Sequence, residues 1–233
     1  SNGGMNWIEV EGSKRAIDVI VIDPSHPNTI YAGLTDYGIL KSDNGGATWT
    51  GKNAGLTNLK VRDIAIDPSD TETIYVAAHD GIYKSTSGGD NWTSVNVGLI
   101  AAQSPTFPRV LSLEIDPSNA SIIYAGTHAG LFRSTNSAGD WNPVNTQPNL
   151  RIYAIAFGHP NTNTVYAGTP FGFGTSTDGG TKWSYHALVH TYVLSIHASP
   201  SKTLYAGTLS GVFKSTDGGA SWTAMNTAVN NTE

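Results

Sequence analysis

Ser42-Asp43-Asn44-Gly45-Gly46-Ala47-Thr48-Trp49 is one of five closely similar phrases in a chain of 233 residues. The others run from Ser85 to Trp92, Ser134 to Trp141, Ser176 to Trp183 and Ser215 to Trp222. The six tryptophans, beginning with Trp7, are spaced 42, 43, 49, 42 and 39 residues apart. Working outward, a second phrase precedes each of the five: Thr29-Ile30-Tyr31-Ala32-Gly33, then versions centred on Tyr75, Tyr124, Tyr166 and Tyr205. Upstream again lies an alternating apolar run that ends in Asp-Pro-Ser, as in Ile64-Ala65-Ile66-Asp67-Pro68-Ser69. Five in-register copies define a repeat.

Each period reads as four short strands. Strand A is of the Ile64–Ile66 type and strand B of the Ile74–Ala77 type; strand C is Ile82-Tyr83-Lys84-Ser85, and strand D starts at the tryptophan. These segments are rich in β-branched and aromatic residues and are bounded by Gly, Pro, Asn and Asp. No segment holds a 3.6-residue apolar pattern long enough for a helix. Four strands per period of roughly 40–45 residues is the signature of a propeller blade. The expectation is an all-β, five-bladed propeller of four-stranded antiparallel blades, one domain over 1–233, with repeats at about 8–49, 50–92, 93–141, 142–183 and 184–222. Asn2-Gly3-Gly4-Met5-Asn6-Trp7 matches only the second half of a phrase, so residues 1–7 read as an extra D-like strand at one terminus. Two terminal strands then compete for one slot. The expectation is a closed ring with one of them displaced; a piece of a larger propeller, or strand exchange between chains, are the alternatives.

The Ser-x-Asp-x-Gly-x-Thr-Trp phrase resembles the Asp-box, or bacterial neuraminidase repeat. That repeat is shared by sialidases, xyloglucan-active glycosidases, sortilin-type receptors and the photosystem II assembly factors. The resemblance covers essentially the whole chain and implies a propeller, together with an extracytoplasmic location. Only Asp178 and Asp217 keep the aspartate; Asn44, Ser87 and Asn136 replace it, and Ala138 replaces a glycine in the third copy. A catalytic or metal-binding aspartate would not tolerate three replacements. A turn residue accepting backbone N–H bonds would, so the phrases are expected to be staples.

Composition narrows the function classes. A net charge of −5 disfavours nucleic acid as a bulk partner. No apolar run reaches the roughly 18 residues of a membrane helix, so membrane insertion is not expected. The absence of cysteine excludes disulfides and thiolate chemistry. No nucleophile elbow, phosphate loop or His-Glu-x-x-His phrase is present, and neither a cofactor nor a metal is expected.

Strand alternation assigns the loops to faces. A–B loops and C–D turns share one face, where the sequence repeats. D–A linkers and B–C turns share the other, where it varies, and specificity needs variety. Lys60, Arg109 and Arg151 fall at one equivalent position there, with Arg15 one residue away in its own blade and Arg62 two residues further in. Converging basic groups can bind carboxylate, phosphate or sulfate; as isolated strand-start residues they would only be solvated. The aromatics left near this face are Tyr37, Phe107, Tyr153, Phe171 and Tyr192, with Phe107 in the longest D–A linker. The acids are Asp18, Asp36, Asp63 and Asp80; Asp18 and Asp63 are the weak catalytic candidates, and surface ion pairing is the plainer role for all four. His79 and His128 occupy matching B–C turns with no metal-ligand spacing.

The expected ligand-binding set is Lys60, Arg62, Phe107, Arg109, Arg151 and Tyr153, and the leading expectation is a non-enzymatic binding or assembly module. Its partner would be a protein segment, or an anionic small molecule or glycan, engaged by a monomer or a strand-exchanged oligomer. A glycan-active hydrolase or fragment of one is the alternative, and a designed or excised repeat protein without selected function the third.

Overall fold

In the computed structural model, the described residues are 16–100, 108–144, 150–158, 162–187, 193–198 (backbone only) and 203–225. They form twenty strands and no helix, so none is present to cross a membrane. The first blade comprises β1 (Ile17–Ile22), β2 (Ile30–Leu34), β3 (Gly38–Ser42) and β4 (Thr50–Gly51). The second comprises β5 (Val61–Ile66), β6 (Ile74–Ala78), β7 (Gly81–Ser85) and β8 (Thr93–Ser94). The third holds β9 (Val110–Ile115), β10 (Ile123–Thr127), β11 (Gly130–Ser134) and β12 (Asn142–Pro143). The fourth holds β13 (Ala154–Phe157), β14 (Val165–Thr169), β15 (Gly172–Ser176) and β16 (Ser184–Ala187). The fifth holds β17 (Val193–Ala198), β18 (Leu204–Thr208), β19 (Gly211–Ser215) and β20 (Thr223–Ala224). Each blade is an antiparallel meander in chain order, as the repeat requires.

Strands two and three of the second, third and fourth blades are buried on both faces, because those blades have a neighbour on either side, whereas the second and third strands of the fifth blade are partly exposed. The core therefore lies between blades. One cluster joins Tyr75, Ala77 and Ile82 of the second blade to Leu113, Ile123 and Trp141 of the third. The first strands pack in series, β1 on β5, β5 on β9, β9 on β13 and β13 on β17.

The tryptophan turns are staples, as the sequence suggests. In every copy the residue in the aspartate position accepts the N–H four residues on: Asn44 from Thr48, Ser87 from Asn91, Asn136 from Asp140, Asp178 from Lys182, Asp217 from Ser221. The Asn136 amide also donates to the Asp140 carboxylate, which an aspartate at that position could not do. The serine that opens each turn is fully buried. Ser134 Oγ accepts from the backbone N–H groups of Asn136 (3.3 Å) and Ala138 (3.0 Å). Ser134→Ala orphans those donors and is expected to cost about 1–3 kcal/mol in denaturant unfolding.

Loop faces follow the sequence assignment. In the first four blades the staple turn donates to the A–B loop of its own blade, as in Gly88 N to Glu72 O and Ser137 N to Ser121 O. On the other face, Gly38 N donates to Leu59 O and His128 N to Arg109 O, joining B–C turns to D–A linkers.

Ring closure departs from expectation. Among the described residues β17 does not pack along β1, and the outward side of β1 is exposed. The five blades form an open arc. The sequence states the number of blades but not their curvature, which depends on how bulky the side chains wedged between blades are. The candidate extra strand at residues 1–7 lies outside the described residues.

Candidate functional site

Four first strands carry a bulge at the variable-face end. The pairing slips between Ile17 and Val19, between Val61 and Asp63, where Gly126 and Thr127 meet Ser112 and Val110, and between Val193 and Ser195. In the first three blades the residues left over are Asp18, Arg62 and Leu111, and bulges re-aim such side chains. Together with Tyr153, at the same position before β13, they line a cavity of about 320 Å³ at the channel mouth. Equivalent positions thus supply an acid, a base, an aliphatic and an aromatic group to one pocket.

Arg62 spans two blades. Its Nη1 lies 3.2 Å from Asp18 Oδ2, which also accepts the Thr35 hydroxyl at 3.0 Å. Its Nε donates to His79 Nε2 at 3.2 Å. Burial holds His79 below the ordinary histidine range, followed by the positive charges of Arg62, Arg109 and Lys60. His128 is lowered in the same way, by burial and then by Arg151 and Arg109. One cationic field therefore reaches two neighbouring B–C turns. Lys60 is partnered, with Nζ 3.5 Å from Asp36 Oδ1. Arg109 and Arg151 are exposed and have no carboxylate partner among the described residues.

Asp63 is a strut. Its Oδ1 accepts the N–H of Ile64 on its own strand (2.9 Å), and its Oδ2 that of Leu113 on β9 (2.8 Å). It therefore satisfies a backbone donor on the next blade's inner edge. Burial pushes its carboxyl up to about 6. Glu114 lines the same cavity and also a second one of about 390 Å³ deeper in the channel, whose walls include Val21, Ile22, Ile66 and Ile115. Burial, and then the Asp63 charge, push Glu114 up to about 8. Sequence reasoning missed Glu114. The available signal was a lone acid in an otherwise apolar strand, Leu111-Ser112-Leu113-Glu114-Ile115.

The remaining candidates scatter. Tyr37 and Phe171 are exposed on the variable face, Phe171 beside a separate cavity of about 330 Å³ with Phe173 and His186. Asp80 Oδ2 accepts the hydroxyls of Tyr83 and Thr57, both at 2.7 Å. Arg15, Phe107 and Tyr192 lie outside the described residues. Among the described residues no group of three metal-ligating side chains converges.

No protein-family model and no curated protein matches the chain. Solved structures do resemble it. An ancestral GH74 enzyme superposes with a TM-score of 0.76 at 24% identity, over 90% of this chain and 31% of that one. The extracellular domain of BT4673 from B. thetaiotaomicron gives 0.71 at 20% identity, over 85% of this chain and 27% of that one. YCF48 bound to D1 peptide gives 0.65 at 15% identity, over 90% and 68%. The chain is a β-propeller. It spans about a third of the length of the GH74 enzyme, 31%. At these identities the likeness carries architecture, which an enzyme and a peptide-bound protein share here.

Proposed function

We propose that this propeller is a non-enzymatic binding or assembly module that docks an acidic protein segment on its variable face. The observation that carries the reading is the pair Arg109 and Arg151. Both are exposed and have no carboxylate partner among the described residues, in a field that already depresses His79 and His128. Lys60 and Arg62 extend the basic surface, Tyr153 supplies an aromatic wall, and Phe107 belongs to the same set by sequence. A carboxylate arriving there gains charge-assisted hydrogen bonds that no described carboxylate supplies. The likeness to YCF48 bound to D1 peptide agrees with a segment as partner, and the likeness to an extracellular domain agrees with a site outside the cytoplasm.

A fluorescein-labelled Glu/Asp-rich peptide is the probe. Its anisotropy-measured affinity is expected to fall between about 0.03 M and about 0.3 M NaCl. The double variant Arg109→Gln/Arg151→Gln is expected to weaken it about tenfold or more at low salt. Unchanged affinity in the double variant overturns the basic face as the site.

The second reading, a glycan-active hydrolase, rests on Asp63 and Glu114 sharing the channel cavities. Its acid would be Glu114, because both Asp63 oxygens are held by backbone donors. Turnover of an aryl glycoside that disappears in Glu114→Gln would replace the docking reading with this one.

A further inference from the structure

Three of the four described blade junctions repeat one bond. The second-strand tyrosine of a blade donates its hydroxyl to the staple turn of the next: Tyr31 to Gly88 O (3.1 Å), Tyr75 to Ser137 O (3.3 Å), Tyr124 to Gly179 O (2.7 Å). These three acceptors hold the same place in their turns, and in the first blade that place belongs to Gly45. A basic side chain lies over each donor ring, Lys41 on Tyr31, Lys84 on Tyr75, Arg133 on Tyr124. The fifth blade builds the same donor half, with Lys214 over Tyr205. Yet Tyr205 is 39% exposed, whereas Tyr31, Tyr75, Tyr124 and Tyr166 are at 1%, 0%, 1% and 6%.

The first blade shows the matching half. Ile20 occupies the register position of Ile64, Leu113 and Ile155, two residues before the end of the apolar run. Those three are 3%, 3% and 7% exposed, but Ile20 is 58%. Ile22 is likewise exposed where Ile115 and Phe157 are buried. Gly45 is exposed where Gly88 is buried. The two ends of the arc are thus complementary halves of a junction the chain has already built between its own blades. Apolar patches left this way mark interaction surfaces.

We infer that the fifth blade of one copy docks onto the first blade of a second copy, head to tail. The Tyr205 hydroxyl then donates to the Gly45 carbonyl, and the Ile20–Ile22 side of β1 is covered by the partner's β17 and β18 sheet. The interface is heterologous, since a trailing face meets a leading face, so it propagates unless the rotation closes. It is independent of the basic face, which lies at the end of the blades and stays open in the assembly.

The test is light scattering after size exclusion, loading the 233-residue chain from about 1 µM to about 1 mM. The wild type is expected to exceed the 24.6 kDa of one chain as concentration rises. Ile20→Asp blocks the leading face and Tyr205→Asp the trailing face; both positions are exposed, and circular dichroism checks each fold. Each variant alone is expected to run as a monomer. Their equimolar mixture is expected to give a one-to-one dimer, because one intact junction remains. Tyr205→Phe, which removes only the hydroxyl, is expected to weaken association about three- to tenfold. A wild type that stays monomeric, single variants that still associate, or a mixture that stays monomeric overturns the inference.

Discussion

Trp141→Ala is expected to destabilise the protein by about 3–5 kcal/mol, and Trp49→Ala by less than half of that. The two residues hold the same place in the repeat. Trp141 is buried among Leu99, Val110 and Leu113, and its indole N–H reaches back to Val95 O of the preceding blade at 2.8 Å. Its backbone N–H donates to Val97 O of the same segment. Removing the ring therefore opens a cavity between two blades and orphans the Val95 carbonyl as well. Trp49 is only half-buried, and its indole donates to Gly46 O within its own turn. Guanidinium unfolding followed by far-ultraviolet dichroism separates the two. Equal losses at both positions would mean that the tryptophans hold their own turns and no more.

That difference also marks how far the sequence could be read. The five phrases identify the blades because each places the same strand-forming residues and the same turn chemistry at one spacing. The turn role of Asn44, Ser87 and Asn136 was legible for the same reason: any short acceptor closes that loop. The split among the tryptophans was not. Trp92 and Trp141 donate to the preceding blade, whereas Trp49, Trp183 and Trp222 donate to their own turns. Partner choice depends on what packs behind the ring, which no local pattern encodes. The basic face was legible as positions but not as pairing. Only coordinates separate Arg62, committed to Asp18 and His79, from Arg109 and Arg151. Glu114 escaped because one acid in an apolar strand has no motif; its meaning comes from Asp63, which approaches from another blade.

Stability is expected to fall as pH rises from about 4 to about 8, and to level off above that, because the raised carboxyls Asp63 and Glu114 outweigh the smaller opposite contribution of the lowered histidines His79 and His128. The sign follows from the direction of the shifts. Burial raises Asp63 from 3.8 to about 6, and Glu114 is raised from 4.5 to about 8. A carboxyl with a raised folded-state value holds its proton after the unfolded chain has released it. Folding then takes up protons across that window, so the native state is favoured on its acid side. The two groups act in sequence. Asp63 ionises first, and its charge opposes ionisation of Glu114, which prolongs the slope toward pH 8. Glu114→Gln keeps the shape and removes the titration, and it is expected to abolish most of the decline, on the order of 2–4 kcal/mol between pH about 5 and about 9. Asp63→Asn is a different experiment. It removes the charge that raises Glu114, but it also places an amide donor where Oδ1 and Oδ2 each accept a backbone N–H. It is therefore expected to shift the decline to lower pH and to lower stability at every pH. Melting temperatures of the three proteins across that range decide the matter: a wild-type decline left intact in Glu114→Gln would assign the slope to some other group.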